Sequence, residues 1–378
     1  MRSIATLPKL NGARVLVRVD YNVPIKGNTI LDARRIESSY KTIDAVLKKG
    51  GVPIVIAHRG EDGDTLRPIV PFLSKRYHVL FISHRIGSST IDEAIGKAKK
   101  GTVVLLENIR QNPGEEKNDL SFAKALAALG KYFINDAFSV CHRLHASIVR
   151  LPKLLPAYAG YQLLVEVAHL DGVLKSKAHP FLFVLGGAKF STKIPLIKKF
   201  ITTADNTVIA GALLNSFYKT AGFEIGRSVY ESGYEKQIRP LLKNPRLLLP
   251  TDVVVLAGKK ATTVSADAVS NGDMIVDIGP DSTRWIDQKI REAKLIVWNG
   301  PTGWYEGGFD TATVALARAI ARSRATTIIG GGDTAEVIKK VFKNANGSSK
   351  RIFISTGGGA TLEYLAKGTL PGIQCLQK

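Results

Sequence analysis

The sequence predicts an α/β protein of two domains, each built on a parallel sheet. Three observations carry this. Short apolar runs alternate with helical stretches along the whole chain, as in parallel α/β layers. The 378 residues, 45% of them hydrophobic, supply enough apolar side chain for about two cores of ordinary size. Polar residues and glycines gather just after the apolar runs, and doubly wound sheets take their ligands at the carboxyl ends of the strands.

The expected strands of the first half are Arg14–Val19, Val52–Ala57, Val79–Ser83, Val103–Glu107 and Tyr132–Asn135. Those of the second are Phe181–Leu185, Thr207–Ala210, Val253–Leu256, Leu295–Trp298, Thr326–Gly330 and Arg351–Ser355. Helices fit between them, among them Asp119–Leu129 and Thr311–Ala321. The domain boundary is expected after Pro152 and Pro156, where the helical pattern of Tyr161–Leu174 links one strand series to the next.

Lysine and arginine number 53 against 32 acidic residues, a net charge of +21. Such an excess points to anionic partners: nucleic acid, an acidic membrane surface or small phosphorylated substrates. The basic residues are scattered as pairs, such as Lys48-Lys49, Lys99-Lys100, Lys198-Lys199 and Lys259-Lys260. With no dense basic tail and no aromatic-basic strand motif, nucleic acid is the weaker expectation. Two cysteines, Cys141 and Cys375, cannot make a disulfide framework and fit a reducing compartment. The N-terminal Met1–Pro8 lacks the apolar stretch of a signal peptide, and no apolar run approaches the ~18 residues of a membrane span. A soluble, cytoplasmic protein without a membrane partner is expected.

The most informative segment is Phe181–Lys193, which reads as a buried strand, a Gly186-Gly187 turn and a helix carrying Lys189 and Lys193 four residues apart on one face. Glycines let backbone N–H groups approach a ligand, and a helix start adds orphan donors and a positive dipole end. Two ammonium groups over such a turn suit a polyphosphate; a tight turn with two solvated lysines is the plainer alternative. Three more glycine turns follow strands: Trp298-Asn299-Gly300-Pro301-Thr302-Gly303, Gly330-Gly331-Gly332-Asp333-Thr334 and Gly357-Gly358-Gly359. Several at one sheet edge suggest a floor of N–H donors for phosphates. Neither G-x-x-x-x-G-K-[ST] nor G-x-G-x-x-G is present. Asp333 is open to two readings, a Mg²⁺ ligand or a helix N-cap.

In the first half, Asp20 and Asn22 end the first strand two apart, on one side, ready for hydroxyls or for a plain Asx turn. Arg35, Arg110 and Arg143 follow strand ends, where each can clamp a carboxylate or phosphate or lie solvated on the surface. Cys141-His142-Arg143-Leu144-His145 lacks the second ligand cluster that a zinc site needs.

Taken in order, Arg18–Pro24, Glu107–Arg110, Asn135–Phe138, His142–Ser147, Gly186–Lys193, Trp298–Gly303, Gly330–Thr334 and Ser355–Ala360 resemble the signature segments of the phosphoglycerate kinase family across nearly the whole chain. The resemblance implies two Rossmann-like domains with parallel sheets joined by a hinge helix. It divides the chain into 1–158, which binds 3-phosphoglycerate or 1,3-bisphosphoglycerate, a hinge at 159–175, a nucleotide domain at 176–368 and a tail, 369–378, that returns to the first domain. It further implies a monomer that transfers a phosphoryl group between 1,3-bisphosphoglycerate and ADP, in glycolysis or gluconeogenesis, with Mg²⁺ accompanying ADP or ATP and domain closure expelling water.

By the same resemblance, Asp20, Asn22, Arg35, His58, Arg59, Arg110 and Arg143 bind the glycerate substrate. Arg35 and Lys189, with backbone N–H groups at Gly331 and Gly358, assist the transfer. Gly187, Lys193, Gly211, Asn299, Glu306, Gly331, Gly332, Asp333 and Thr334 take the nucleotide, Asp333 also holding the metal. Two departures stand out. His58-Arg59-Gly60-Glu61 stands where the family usually reads His-Leu-Gly-Arg, placing a carboxylate at a substrate arginine with Arg59 or Arg67 to compensate. Ala210-Gly211-Ala212 replaces a run of glycines and narrows the expected adenine pocket. A rival reading is a nucleotide- or nucleic-acid-binding protein on the same scaffold, inactive through Glu61; a NAD-dependent dehydrogenase is disfavoured by the missing fingerprint.

Overall fold

The computed structural model describes residues 1–60, 63–343 and 351–377. It divides into two compact units, one of Met1–Ala168 with the C-terminal residues from Lys367, the other of His169–Ala366.

In the first unit, six strands among the described residues form a parallel sheet. Their spatial order is His78–Ile82, Thr102–Leu106, Val52–Ile56, Arg14–Arg18, Tyr132–Asn135 and Ala157–Ala159. Alternate side chains of a strand face opposite sides, and here both sides are apolar. Val15, Val17, Val55, Val103 and Leu105 enter one core, while Leu16, Ile54, Ile56, Val104 and Leu106 enter the other. Such doubly covered strands read as unbroken apolar runs. Ala157–Ala159 gave no such signal: it is a three-residue edge strand following Pro156. The strand order reverses between Arg14–Arg18 and Tyr132–Asn135, which makes the ends of these two strands the switch point of the sheet.

In the second unit the parallel sheet runs Leu247–Leu248, Asn206–Ile209, Phe181–Leu185, Leu295–Asn299, Thr326–Gly330, Ile352–Ile354. Its switch point lies between Phe181–Leu185 and Leu295–Asn299. One expected strand belongs elsewhere. Asp252–Ala257 is the middle of a separate antiparallel sheet, between Lys260–Ser265 and Met274–Ile278. The cause is local: a two-residue turn at Gly258-Lys259, with Gly258 at φ +61°, folds the chain straight back, and neighbours joined by a hairpin are antiparallel.

Helix Tyr161–Leu174 crosses from one unit into the other. Its first turn is capped from a distance. Oδ1 of Asp136 accepts the N–H of Gln162 (2.8 Å) and of Leu163 (3.2 Å), and Oγ1 of Thr42 accepts that of Tyr161 (2.9 Å). These are the orphan donors that any helix start presents. Burial pushes the Asp136 carboxyl up to about 7, against the pull of these amides.

A carboxyl held above its unfolded value of ~3.9 makes the folded state the stronger proton binder between the two values, so stability falls as pH rises from about 4 to about 7. Asp136→Asn keeps an acceptor for the amides but cannot titrate. Urea unfolding of wild type should therefore weaken between pH 5 and pH 8 by roughly 2 kcal/mol more than that of Asp136→Asn; identical slopes for the two proteins would refute this.

Candidate active site

At the switch point of the second unit, three turns touch backbone to backbone. The Gly186 N–H donates to the carbonyl of Asn299 (2.8 Å), Gly187 N–H to Pro301 (3.0 Å), Gly211 N–H to Thr302 (2.9 Å) and Leu213 N–H to Gly187 (2.8 Å). No side chain fits between the first two turns. A Cβ on Gly186 would stand 2.1 Å from the Pro301 oxygen, and one on Gly300, at φ +89°, 2.3 Å from the Gly186 carbonyl.

The two lysines sit differently from expectation. The helix begins only at Ile194, so Lys189 and Lys193 lie in the preceding loop and do not share a helix face. Pro195 at the second helical position fits a helix start there and not earlier. Lys193 is buried, and its ammonium donates to the Gly186 carbonyl beneath the Gly187 turn. Lys189 is exposed, and its ammonium makes no hydrogen bond or ion pair with the described residues.

Asn299 ends the neighbouring strand, 4% exposed. Its Nδ2 is fully enclosed and has no hydrogen-bond partner among the described residues. It points to the space beside Gly330 and Gly331, where added Cβ atoms would lie 2.9 and 3.4 Å away. Thr334, buried in helix Gly332–Lys343, accepts the N–H of Gly300 through Oγ1 (2.8 Å). The side chain of Asp333 lies outside the described residues. Gly331 immediately precedes this helix, and Gly358 likewise precedes helix Gly359–Lys367, where the Gly357 N–H donates to Ser355 Oγ (3.1 Å).

Beside these turns is a cavity of about 520 Å³, walled by Gly187, Gly211, Ala212, Val276, Asp277 and Thr302, with exposed Glu306 on its lining. Despite Ala212, its size remains in the range of small-molecule sites. Asp277 had no sequence signal. Its carboxylate ties three segments together, accepting from Ile278 N–H (2.9 Å), Thr302 Oγ1 (3.0 Å) and Ala312 N–H (3.1 Å), and burial pushes it up to about 6.

At the first unit's switch point, Asp20 Oδ1 accepts the Asn22 N–H (2.9 Å), while Oδ2 accepts Ser139 Oγ (2.6 Å) and pairs with Arg35 (3.2 Å). Burial raises this carboxyl, yet Arg35, His58 and the Ser139 and Asn22 bonds together hold it below its usual value. Arg35 also donates to the Asn22 carbonyl (3.0 Å), and Asn22 Oδ1 accepts the Gly60 N–H (3.1 Å). Arg110 reaches the same loop through the Gly60 carbonyl (2.9 Å). The fold thus joins Asp20, Asn22, Arg35, His58 and Arg110. Arg59 is turned to Asp64 (3.4 Å) and the Thr65 carbonyl (2.9 Å), and Arg67 lies over the Phe81 ring. Arg143 is exposed and shares no hydrogen bond with the group. Glu61 lies outside the described residues. Sequence reasoning missed Arg18, Glu115 and Ser147, which are buried beneath this group.

Residues 4–368 match the family model described as phosphoglycerate kinase. A phosphoglycerate kinase of Methylorubrum extorquens (strain PA1) is 40% identical over 398 residues, covering 100% of this chain and 98% of the relative. One from Rubrobacter xylanophilus is 38% identical over 390 residues, with coverage of 99% and 98%. Among solved structures, the phosphoglycerate kinase of Coxiella burnetii aligns with a TM-score of 0.83 at 33% identity over 99% of this chain and 98% of its own. That of Pyrococcus horikoshii OT3 gives 0.86 at 26% identity, over 100% and 98%.

Gly300→Ala combines a left-handed backbone with a buried clash, so unfolding of the variant should show a loss of at least about 2 kcal/mol. A loss under about 0.5 kcal/mol would mean that the turns are not in contact in solution.

Proposed function

The chain belongs to the phosphoglycerate kinase family, and from that premise we propose which of its groups carry the reaction. The reaction is reversible phosphoryl transfer between 1,3-bisphosphoglycerate and ADP, giving 3-phosphoglycerate and ATP. The enzyme is a phosphotransferase with a carboxyl acceptor, and its place is in glycolysis and gluconeogenesis.

The observation that carries the assignment is the buried Nδ2 of Asn299 at the glycine turns, which has no partner among the described residues. An enclosed donor without an acceptor weakens the fold unless a ligand supplies one, and a phosphate oxygen is such an acceptor. In this reading Gly187, Lys193, Gly211, Asn299, Gly331, Gly332 and Thr334 bind the nucleotide, Lys193 and Thr334 at its phosphates, and Glu306 takes the ribose hydroxyls. Asp20, Asn22, Arg35, His58, Arg59, Arg110 and Arg143 hold the glycerate substrate. The joined cluster of Asp20, Asn22, Arg35, His58 and Arg110 is the core of that set, since Arg59 is turned to Asp64 and Arg143 is hydrogen-bonded to none of these residues.

No group of three metal-ligating side chains occurs among the described residues. That suits Mg²⁺ carried on nucleotide phosphates with a single carboxylate, for which Asp333 is the assigned residue, better than a cage built by protein alone. When bound, the metal neutralises charge on the phosphate oxygens. An acyl phosphate is a good donor, so an ADP oxygen attacks it in line and no covalent enzyme intermediate is required. Arg35, Lys189 and the N–H groups at Gly331 and Gly358 stabilise the equatorial oxygens as charge spreads over them. The exposed ammonium of Lys189, hydrogen-bonded to none of the described residues, is available for a group that moves. No helix among the described residues is long and apolar enough to cross a membrane; a monomeric cytoplasmic enzyme completes the reading. The rival, a binding protein without turnover, rests on the net charge and on Glu61 at the position of a usual substrate arginine.

A coupled assay with 3-phosphoglycerate and Mg-ATP tests the reaction, and absent turnover with retained nucleotide binding would favour that rival. Lys189→Ala should lower kcat about 10²-fold or more with the fold intact; near-normal turnover would remove Lys189 from its role. Asn299→Leu should raise the nucleotide KM about tenfold while leaving stability equal or higher, because no protein bond is lost. A destabilised variant with an unchanged KM would sink the phosphate assignment.

A further inference from the structure

Beneath the substrate cluster of the first unit runs a chain of four enclosed side chains whose hydrogen-bond directions are forced. Arg18 is 1% exposed, His58 3%, and Glu115 and Ser147 not at all. A guanidinium has five N–H donors and no acceptor. Arg18 Nε therefore donates to Ser147 Oγ (3.1 Å), Nη1 to the Val19 carbonyl (2.6 Å) and Nη2 to His58 Nδ1 (3.3 Å). Ser147 Oγ, already an acceptor, sends its own proton to Glu115 Oε1 (2.6 Å), while the Ser147 N–H donates to Oε2 (2.9 Å). Both oxygens of Glu115 accept, so the carboxylate balances the arginine across the serine.

The direction at His58 has a chemical consequence. A ring nitrogen that accepts from a guanidinium carries no proton, so a neutral imidazole held this way must carry its proton on Nε2. Burial, the Arg18 charge and the charges of Arg110 and Arg35 all disfavour the imidazolium, against Asp20, and hold His58 down to about 3. Nε2 has no partner among the described residues. We propose that Arg18, itself fixed by Ser147 and Glu115, is a positioning residue that holds His58 as an uncharged Nε2–H donor for an anionic oxygen of the glycerate substrate. The proposal rests on the assignment of His58 to that substrate. It removes a charge from the inventory: His58 recognises the anion through a fixed hydrogen bond and needs no proton uptake, while Arg35 supplies the charge.

Nitrogen-15 NMR of the full-length protein with labelled histidine reads the tautomer directly, before any substrate is added. The expected result is one His58 species from pH 6 to pH 8, protonated at Nε2 and bare at Nδ1. A Nδ1–H tautomer, or an imidazolium in that range, would overturn the proposal. Arg18→Met should release the ring to mix its two neutral tautomers; an unchanged ring spectrum in a folded Arg18→Met would also overturn it. Should that variant fail to fold, Ser147→Ala, which loosens the arginine without deleting its charge, takes the same measurement. In kinetics, Ser147→Ala should raise the 3-phosphoglycerate KM several-fold with kcat within about twofold, and His58→Ala should raise it about tenfold. The Nε2–H tautomer together with a normal KM in His58→Ala would support the forced tautomer and overturn the placement of His58 on the substrate.

Discussion

The contact of Gly186 with the Gly300-Pro301 turn is the constraint on which the second unit's site depends. Two backbones meet there at a distance that excludes even a methyl group, and four N–H to carbonyl bonds fix Gly186, Gly187, Gly211 and Leu213 against their neighbours. Polar backbone groups enclosed this way need their partners. The turns are therefore a rigid floor set by strand pairing and not by side-chain packing. Lys193, buried with its ammonium on the Gly186 carbonyl, adds charge at that floor.

The first unit solves a different problem with side chains. A cluster of cations under an anionic ligand repels itself, and burying one more arginine among them would be unfavourable if it stood alone. Glu115 supplies the compensating charge, and Ser147 separates the two so that each keeps directed hydrogen bonds. Burial still raises the Glu115 carboxyl and lowers the Arg18 guanidinium, with their mutual attraction opposing both shifts. Asp20 plays the corresponding part nearer the surface, where Arg35 and Ser139 keep it ionised. Organised in this way, the acidic residues set the orientation of the basic ones.

Most of the sheet architecture was legible because parallel strands covered on both faces are unbroken apolar runs; Tyr132–Asn135 and Phe181–Leu185 have the very bounds expected. What escaped had physical reasons. Ala157–Ala159 is too short to show a period, and the antiparallel sheet is declared only by the Gly258-Lys259 turn. The loop holding Lys189 has the spacing of a helix, but the helix begins only at Ile194. Arg18 ends a strand, where an arginine reads as solvated. Its burial arises from Ser147 and Glu115, which are far along the chain, and no local pattern reports that. The glycine turns and Asn299 were visible as a motif, whereas the enclosure of the Asn299 Nδ2 exists only in three dimensions. Asp277 was silent for the same reason, since its three partners come from three segments.

The composition of the first unit bears on how the protein is made. Its closing pieces come from the far end of the chain. Leu370, Ile373 and Leu376 are buried, the Gly372 N–H bonds to the Cys141 carbonyl (2.9 Å), and a side chain at Gly372 would strike Ile148 at 2.7 Å. On the ribosome, residues 1–168 emerge first but must wait for that short segment, while His169–Ala366 is complete in itself before the segment is made. Domains generally fold as units during synthesis, the N-terminal one first. Here the half synthesised first is the half finished last, and through that interval Cys141 and Ile148 lack the residues that pack on them.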